Sequence, residues 1–336
     1  MLSFTARRLL LGVLVTLGVL LITFTLTRVV PSDPASQWVG PRATPEQKQQ
    51  ARRELGFDRP LYVQFGVFLK HLAQGDLGKS LRSKRPVADE MKQFLPPTLE
   101  LVLVAMGFAL LIGLPLGVFS ASHKNRWPDH LTRVISVSGI AMPTFWLAMM
   151  LQVVFFRWLR VLPLGGQLSP YYELFAPVPH VTGFLFVDCL VTGNLGALWD
   201  YVLHLVLPCV ALGAGTLALL ARMTRSAMLE ILNEDYILAA RSYGLGEGVV
   251  LWRYALKNSL GPTATVTALA VGYMLVNTFL VEAVFNWPGI GSYIASAVNS
   301  FDYPAIIGVT LFSAISYVIL NLIADIVVAL DPRVRR

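Results

Sequence analysis

Residues 99–120 read LELVLVAMGFALLIGLPLGVFS, and this stretch decides the class of fold. It contains 22 residues and only one charged side chain, that of Glu100. A helix needs about 20 mostly apolar residues to cross a bilayer, so the stretch predicts a transmembrane helix. Five other stretches meet the same criterion: 9–30, 131–156, 202–221, 263–284 and 305–330. We therefore predict an all-α polytopic membrane protein with six transmembrane helices.

The composition of the whole chain supports this class. Of its 336 residues, 55% are hydrophobic and 14% are charged, and the mean hydropathy is +0.62. Soluble domains carry about 25% charged residues. The net charge of +7 agrees with basic residues that flank apolar spans. No basic stripe interleaved with aromatic side chains is present, so we predict no nucleic-acid partner.

No pattern of residues predicts a metal or catalytic site. The two cysteines, Cys189 and Cys209, lie in or beside apolar segments and lack zinc or redox spacing, and the five histidines are scattered. An intramembrane enzyme would need acid, base or metal-binding residues clustered within its spans, and the sequence shows none. We expect no enzymatic activity in this chain.

Lysine and arginine residues in the short loops predict the orientation. The loops at 122–133 and 222–260 carry three and five basic residues, whereas 286–303 carries none. Because basic loops remain in the cytoplasm, both termini are predicted to be cytoplasmic. The segment 31–98 holds eleven basic residues on the outer side, but the rule has little weight for loops longer than about 60 residues.

The outer segment 31–98 is predicted to form a small extracytoplasmic subdomain between a first region, 1–30, and a membrane core, 99–336. Pro31 to Pro34 predict a turn, and Thr44-Pro45-Glu46 predicts the start of a polar helix that ends near Leu55. The following stretch, 61–72, predicts an amphipathic helix. Its apolar face, which we expect to pack against neighbouring residues, comprises Leu61, Phe65, Phe68 and Leu72.

Ala73 to Ser80 read AQGDLGKS, which differs by one residue from the phosphate loop G-x-x-x-x-G-K-[ST]. Ala73 replaces the first glycine, and the preceding residues have a helical period where the motif needs a strand. We therefore predict an ordinary turn at this place. Because the chain carries no phosphate loop of its own, ATP could drive it only through a separate ATPase subunit.

The longest cytoplasmic loop, 222–262, predicts a compact knob of two helices. Asn233 can cap the first helix, Gly244 supplies its C-terminal stop, and the second helix runs from about Glu247 to near Gly261-Pro262. In one interpretation the knob binds another protein, and in the other it is a pair of interfacial helices without a partner. The residues alone favour neither. Under the first interpretation, Ala239 and Ala240 allow close approach, and Tyr236, Arg241 and Leu245 anchor the partner.

The knob also carries a family motif. Leu238 to Gly244 follow the pattern L-A-A-x-x-x-G, which resembles the EAA loop of ABC importer permeases. The surrounding residues resemble the dipeptide/oligopeptide/nickel family, whose version runs D-Y-x-x-x-A-R-x-x-G-L and later A-L-x-N-x-L-x-P. Leu238 stands where an acidic residue is usual, and Gly261 replaces a leucine. Other segments resemble the first-position permease of that family: 7–8, 58–61, 75–81, 95–100, 145–147, 284–291 and 331–333.

The resemblance implies a type I ABC importer permease fold in a bacterial inner membrane. The implied partners are a second homologous permease subunit, two ABC ATPase subunits, an extracytoplasmic substrate-binding protein and membrane lipid. No cofactor is expected on this chain, because ATP and Mg would bind to the ATPase subunits. The knob would be the coupling helix that docks on the ATPase, through Glu234, Asp235, Tyr236, Ala239, Ala240, Arg241, Gly244 and Leu245.

The resemblance also assigns a role to the outer loop, 285–303. This loop would contact the binding protein and shape the mouth of the pathway, through Glu282, Phe285, Trp287, Gly289 and Gly291. An aromatic turn at the membrane interface is the alternative for Trp287.

Polar and ionisable groups at membrane depth are further candidates. Asn321 and Asp325 lie four residues apart on one helix face and suit a polar network between helices, with a structural role favoured over transport. Glu282 could face the ammonium groups of a substrate. Pro143 and Pro208 predict kinks in the third and fourth spans.

Peptides are the expected substrate because the resembled family transports them, and nickel complexes, glutathione and sugars are the alternatives. An ion-coupled secondary transporter is the alternative from a different class. Such a transporter should show broken helices in two matching halves, and the sequence gives no sign of paired broken segments.

Overall fold

A computed structural model describes residues 2–29, 38–40, 42–54 and 56–330 of the chain. Within these ranges the chain forms helices and turns, with one isolated bridge between Lys79 and Pro86 and no extended strand. Three predicted features lie outside the described residues. They are the turn at 31–34, the helix end at Leu55 and the family motif at 331–333.

The helices are numbered here in chain order: α1 (Leu2–Val29), α2 (Pro45–Glu54), α3 (Leu61–Ala73), α4 (Val87–Ser122), α5 (Trp127–Ala141), α6 (Thr144–Trp158), α7 (Pro170–Leu174), α8 (Leu185–Val191), α9 (Leu195–Ile231), α10 (Asp235–Ser242), α11 (Glu247–Phe285), α12 (Ile290–Asn299) and α13 (Tyr303–Leu330). Two of them contain π-helical turns, α6 at Gln152–Trp158 and α11 at Val250–Ala255. The chain divides into two compact units. The first comprises Met1–Pro96 with Pro288–Val318, and the second comprises Pro97–Trp287 with Ile319–Arg336.

Most of the predicted spans are confirmed. Among the described residues, five helical segments are long and apolar enough to cross a membrane: Ala6–Thr27 within α1, the whole of α4, α9 and α11, and Tyr303–Ile326 within α13. The pair α5 and α6 meets the same criterion when taken together as one bent span. The all-α polytopic fold is therefore confirmed, with five candidate spans, or six when the bent pair is counted as one span.

The third span, predicted over 131–156 with a kink at Pro143, consists of two helices that meet at a sharp bend. The chain bends by 107° between α5 and α6. Pro143 has no backbone N–H to donate and disfavours helical geometry in the residue before it. Met142 accordingly has extended backbone angles, with φ −77° and ψ 127°. Pro143 therefore breaks the span, whereas α9 continues through Pro208 without a break.

The helices are longer than the apolar stretches that predicted them. Helix α4 begins at Val87 instead of near residue 99, and its 36 residues extend about 54 Å, well beyond the hydrocarbon core of about 30 Å. The predicted end of the second knob helix near Gly261-Pro262 is also wrong, because α11 contains Pro262 in its interior. Hydropathy detects the part of a helix that lies in lipid and misses its polar extensions.

The first unit contains the predicted helices of segment 31–98. Thr44 and Gln47 form a reciprocal cap at the start of α2, with Oγ1 of Thr44 accepting from the Gln47 N–H and Oε1 of Gln47 accepting from the Thr44 N–H. On α3, the aromatic side chains of Phe65 and Phe68 pack with Phe24 of α1, as predicted. Leu72 belongs to the same cluster. Leu61 was wrongly placed on this face, since it is 52% exposed. The boundaries of the subdomain stay a prediction.

The segment that resembles a phosphate loop is a turn, as predicted. Asp76 accepts a hydrogen bond from the backbone N–H of Gly78 at 2.8 Å, and this bond holds the pKa of the Asp76 carboxyl below its ordinary value. Ser80 donates its hydroxyl to Asp302, which also accepts from the backbone N–H of Leu81. The end of the segment is thus attached to Asp302, the residue that precedes α13, through the Ser80 side chain and the adjoining backbone.

Helix α9 is the centre of the second unit and packs against α5, α6, α8 and α11. Helix α4 also lies against it, at two glycines one turn apart. A Cβ on Gly113 would lie 3.0 Å from the carbonyl oxygen of Leu217, and one on Gly117 would lie 2.8 Å from that of Ala221. Small residues at this spacing let two helices approach closely in a membrane. The two helices run in the same direction, because contact positions increase together along both.

Because α4 approaches α9 closely at Gly117, we predict that alanine substitutions at two glycines of α4 have different effects on stability. Gly117→Ala places a methyl group 2.6 Å from the Cβ of Thr224, and overpacking of this kind costs about 1–3 kcal/mol. Gly107→Ala meets no atom within 4 Å and gains about 1 kcal/mol of helix propensity. We expect Gly117→Ala to lower the thermal unfolding temperature of the detergent-purified chain and Gly107→Ala to leave it equal or higher. Equal temperatures for both variants would contradict the close packing.

Candidate functional site

The knob predicted from the cytoplasmic loop is present in the second unit. It consists of α10, the turn at 243–246 and the first turns of α11. The cap was predicted one residue too early. Asn233 donates its side-chain amide to the carbonyl of Leu229 and so closes α9, whereas Glu234 takes the N-cap position with extended backbone angles. Asp235 then opens α10, where an acidic side chain suits the helix dipole.

The knob has an apolar core of its own. Ile237 and Ala240 of α10 are buried in it, together with Val250 and Ala255 of α11. Val118 and Ala121 of α4 and Met228 of α9 complete the cluster. Ala240 is only 6% exposed, so it packs inward and does not offer the contact surface that the sequence predicted for it. Ala239, its neighbour, is exposed.

The turn between the two knob helices depends on a glycine and an ion pair. Gly244 has φ +78°, a left-handed conformation that other residues adopt at a cost of about 1 kcal/mol. Across the turn, Arg241 donates from Nε and Nη2 to both carboxylate oxygens of Glu247, at 2.8 and 3.3 Å. Both side chains are exposed, so the pair contributes at most about 1 kcal/mol. The pair therefore adds little to the stability of the chain, and its main effect is to fix the direction of the turn.

The surface of the knob carries exposed apolar side chains. Tyr236, Leu238 and Tyr243 project from it, and Tyr243 is 87% exposed. Leu245 lies within the turn and is also exposed. Leu238 and Tyr243 were not among the predicted docking residues, since the motif directs attention to its small and charged positions. Exposed apolar patches bordered by polar side chains mark interaction sites.

The outer-loop candidates divide between the two units. In the second unit, Glu282, Phe285 and Trp287 are buried. Thr98 donates its hydroxyl to Glu282 at 2.6 Å, and Nε1 of Trp287 donates to the carbonyl of Pro97 at 3.0 Å. These side chains join the start of the apolar part of α4 to the end of α11. In this structure they present no surface to another protein, and their role at the mouth of a pathway stays a prediction.

The two remaining outer-loop candidates belong to the first unit. Gly289 is the N-cap of α12, and its carbonyl accepts the hydroxyl of Ser292 at 2.7 Å. Gly291 lies buried in the first turn of the same helix. Helix α12 is anchored by Tyr293, whose hydroxyl donates to Glu90 at 2.8 Å, and burial together with this carboxylate raises the pKa of the tyrosine.

The intramembrane pair lies where the sequence placed it. Asn321 and Asp325 are both half-buried on α13, four residues apart. The network predicted for them stays a prediction. Among the described residues, no group of three or more His, Cys, Asp or Glu side chains is arranged to hold a metal ion.

Three buried acids of the second unit, Glu100, Asp188 and Asp129, were not identified from the sequence. Glu100 accepts from the hydroxyl of Tyr201 and from the backbone N–H groups of Leu185 and Phe186, and so caps the start of α8. In α8, burial would raise the pKa of Asp188, but hydrogen bonds from the hydroxyl and N–H of Thr182 hold it below the ordinary value. Its carboxylate therefore stabilises this loop at neutral pH and loses that contribution as the pH falls.

A third buried acid, Asp129, has five hydrogen bonds and lies beside the knob. The one available sequence signal was its spacing of four residues from Arg133, which suits a helical ion pair. Its other arginine partner, Arg225, lies 96 residues away along the chain. No local pattern predicts a contact over that distance.

Comparison with known proteins identifies the family. A family model described as "Binding-protein-dependent transport system inner membrane component" matches residues 113–336. The chain belongs to this family of inner membrane components. A second model, described as "Binding-prot-dependent transport system membrane comp, N-term", matches residues 1–102 of the same inner membrane component.

Three relatives match this inner membrane component over nearly its whole length. The probable D,D-dipeptide transport system permease protein DdpB of Escherichia coli K12 is 43% identical, with 96% of this chain and 95% of the relative covered. The dipeptide transport system permease protein DppB of Alkalihalophilus pseudofirmus is 40% identical over all of both chains. The glutathione transport system permease protein GsiC of Escherichia coli O6:H1 is 35% identical, with coverages of 100% and 99%. The resemblance inferred from motifs is confirmed.

Alanine substitutions at two glycines of the knob turn form a matched test of the turn's backbone conformation. A Cβ added at Gly244 or at Gly246 would meet no atom within 4 Å, and only Gly244 has a positive φ. Gly244→Ala should therefore strain the turn by about 1 kcal/mol and accelerate hydrogen exchange of the α10 amides about fivefold. Gly246→Ala should leave exchange unchanged. Equal exchange in the two variants would show that the backbone conformation of Gly244 does not hold the turn.

Proposed function

We propose that this chain is a permease subunit of an ATP-driven ABC importer and forms half of the pathway for dipeptides and oligopeptides. The observation that carries the proposal is its similarity, over nearly the full length, to permeases named for dipeptide transport. A second homologous permease subunit would form the other half, and an extracytoplasmic binding protein would deliver the peptide. Both termini lie in the cytoplasm in this arrangement, as the basic loops predict.

The knob supports an ATPase docking role. Its outer face carries exposed apolar side chains, and its inner face is fixed to the ends of α4 and α9 by a shared core. A partner that binds this surface can displace the knob. The displacement then reaches α4 and α9, because the packed base of the knob moves with it. ATP and Mg bind to the two partner ATPase subunits in this proposal, and this chain supplies no nucleotide site.

The proposed role is tested first by assembly. The tagged chain, purified in detergent after coexpression with its ATPase subunits, should retain them. An ion-coupled secondary transporter would not. If uptake by the reconstituted chain follows an ion gradient and needs no ATPase, the proposal fails.

The substrate is tested by competition. In proteoliposomes that contain both permease subunits, the ATPase subunits and the binding protein, we expect ATP-dependent uptake of a radiolabelled dipeptide. Excess unlabelled dipeptide or oligopeptide should suppress this uptake. Suppression only by glutathione, by a nickel complex or by a sugar would assign the corresponding alternative substrate instead.

Two leucines of equal exposure provide a matched test of the docking face. Leu238 and Leu61 are both 52% exposed, and only Leu238 lies on the knob. Leu238→Asp places a charge in the proposed interface and should weaken ATPase binding at least about tenfold. Leu61→Asp should leave ATPase binding unchanged. Binding is measured by titrating labelled ATPase subunits against the purified chain, and equal affinities for the two variants would exclude the knob as the docking surface.

A further inference from the structure

The Asp129 carboxylate lies at the end of α4, α5 and α9 that carries the knob. Its side chain is completely buried, at 0% exposure. It accepts five hydrogen bonds, which come from Ser120 Oγ at 2.7 Å, the Asn125 backbone N–H at 2.9 Å, Arg133 Nη2 at 2.5 Å, Arg225 Nε at 2.6 Å and Arg225 Nη2 at 2.9 Å. A buried charge with this many donors is fully compensated.

The two arginines have different structural consequences. Arg133 is on α5, one turn from Asp129, and its side chain is 44% exposed. Arg225 is on α9 and joins both oxygens of the carboxylate through a two-pronged contact. Of these two ion pairs, only the one with Arg225 connects separate helices, α5 and α9, and the geometry of the guanidinium fixes their relative position.

Helices α4 and α9 carry the base of the knob. Ser120, which donates to Asp129, lies between Val118 and Ala121 of the knob core on α4. Arg225 lies three residues before Met228, the core residue contributed by α9. The tight contact between Gly117 and Ala221 lies within one or two turns of both. The Asp129 cluster therefore sets the spacing of the two helices on which the knob rests.

We propose that Asp129 and Arg225 are positioning residues for energy coupling. Their ion pair fixes α5 and α9 against each other, with Ser120 of α4 held on the same carboxylate, so that a displacement of the knob reaches the membrane spans. Buried ion pairs contribute little net stability, and their best-established use is to fix one arrangement among several. Without the pair, the knob moves on its base and ATP hydrolysis proceeds with less transport. This inference rests on the proposed function.

Two glutamine substitutions test the inference, each at an arginine that binds the Asp129 carboxylate. Arg225→Gln and Arg133→Gln each remove one guanidinium from Asp129, and only the first removes the link between α5 and α9. In the reconstituted complex, the amount of dipeptide transported per ATP hydrolysed should fall about tenfold for Arg225→Gln. It should stay within about twofold of wild type for Arg133→Gln. Arg225→Lys keeps the charge, loses the two-pronged contact and should give an intermediate ratio.

Hydrogen exchange on the isolated chain measures how firmly the knob is held in its folded arrangement, without transport. We expect the amides of 235–255 to exchange about tenfold faster in Arg225→Gln and Asp129→Asn than in wild type. Asp89→Asn is the control for an aspartate replacement, since Asp89 forms an exposed pair with Lys92. It should leave this exchange unchanged, as should Arg133→Gln.

The outcomes separate this inference from the proposed function. If the wild-type complex hydrolyses ATP without any uptake, the proposed function fails, and the exchange measurement alone decides whether the ion pair positions the knob. If wild type transports and Arg225→Gln keeps the wild-type ratio, the inference is overturned. Faster exchange with an unchanged ratio also overturns it, because the pair would then support the fold and have no part in coupling.

Discussion

Polar groups in the hydrocarbon layer have no water to bind, and each must find its hydrogen-bond partner within the protein. The backbone meets this constraint by forming helices along nearly all of the apolar sequence. The buried carboxylates meet it through a small number of directed contacts. Glu100 accepts from Tyr201 and from the first amides of α8, and Glu282 accepts from Thr98. Each of these acids thereby fixes the end of one element against another.

The same constraint explains how the second unit is organised around α9. Close packing of α4 on α9 excludes lipid and leaves no room for side chains at Gly113 and Gly117. Polar contacts then concentrate at the two ends of the apolar part of α4, where Glu100 lies at one end and Ser120 at the other. The helices therefore pack through apolar contacts in the middle and are fixed by hydrogen bonds towards both ends. The knob rests on one of those ends, the one that contains Ser120.

Much of the fold follows from local sequence, and the site follows only in part. Residues 99–120 predicted a span because apolar length is a local property, and the capping pattern at Thr44 predicted a helix start for the same reason. The break at Pro143 was underestimated, since a proline inside a span can bend a helix or end it, and neighbouring helices decide which. Pro208 and Pro262, by contrast, lie inside continuous helices. The sequence did not predict that Ala240 faces the knob core or that Trp287 is buried, because both depend on residues far away in the chain. The same is true of Asp129 and Arg225.

The unbroken course of α9 through Pro208 has a mechanical consequence. Its 37 residues form a rod of about 55 Å, which is longer than the hydrocarbon layer is thick. One end of this rod carries Met228 in the base of the knob, and the other begins at Leu195, close to α8. A tilt of about 5° about one end would move the opposite end by about 5 Å, roughly the rise of one helical turn. A small angular change at the knob is therefore sufficient to displace side chains at the far side of the membrane by the width of a residue.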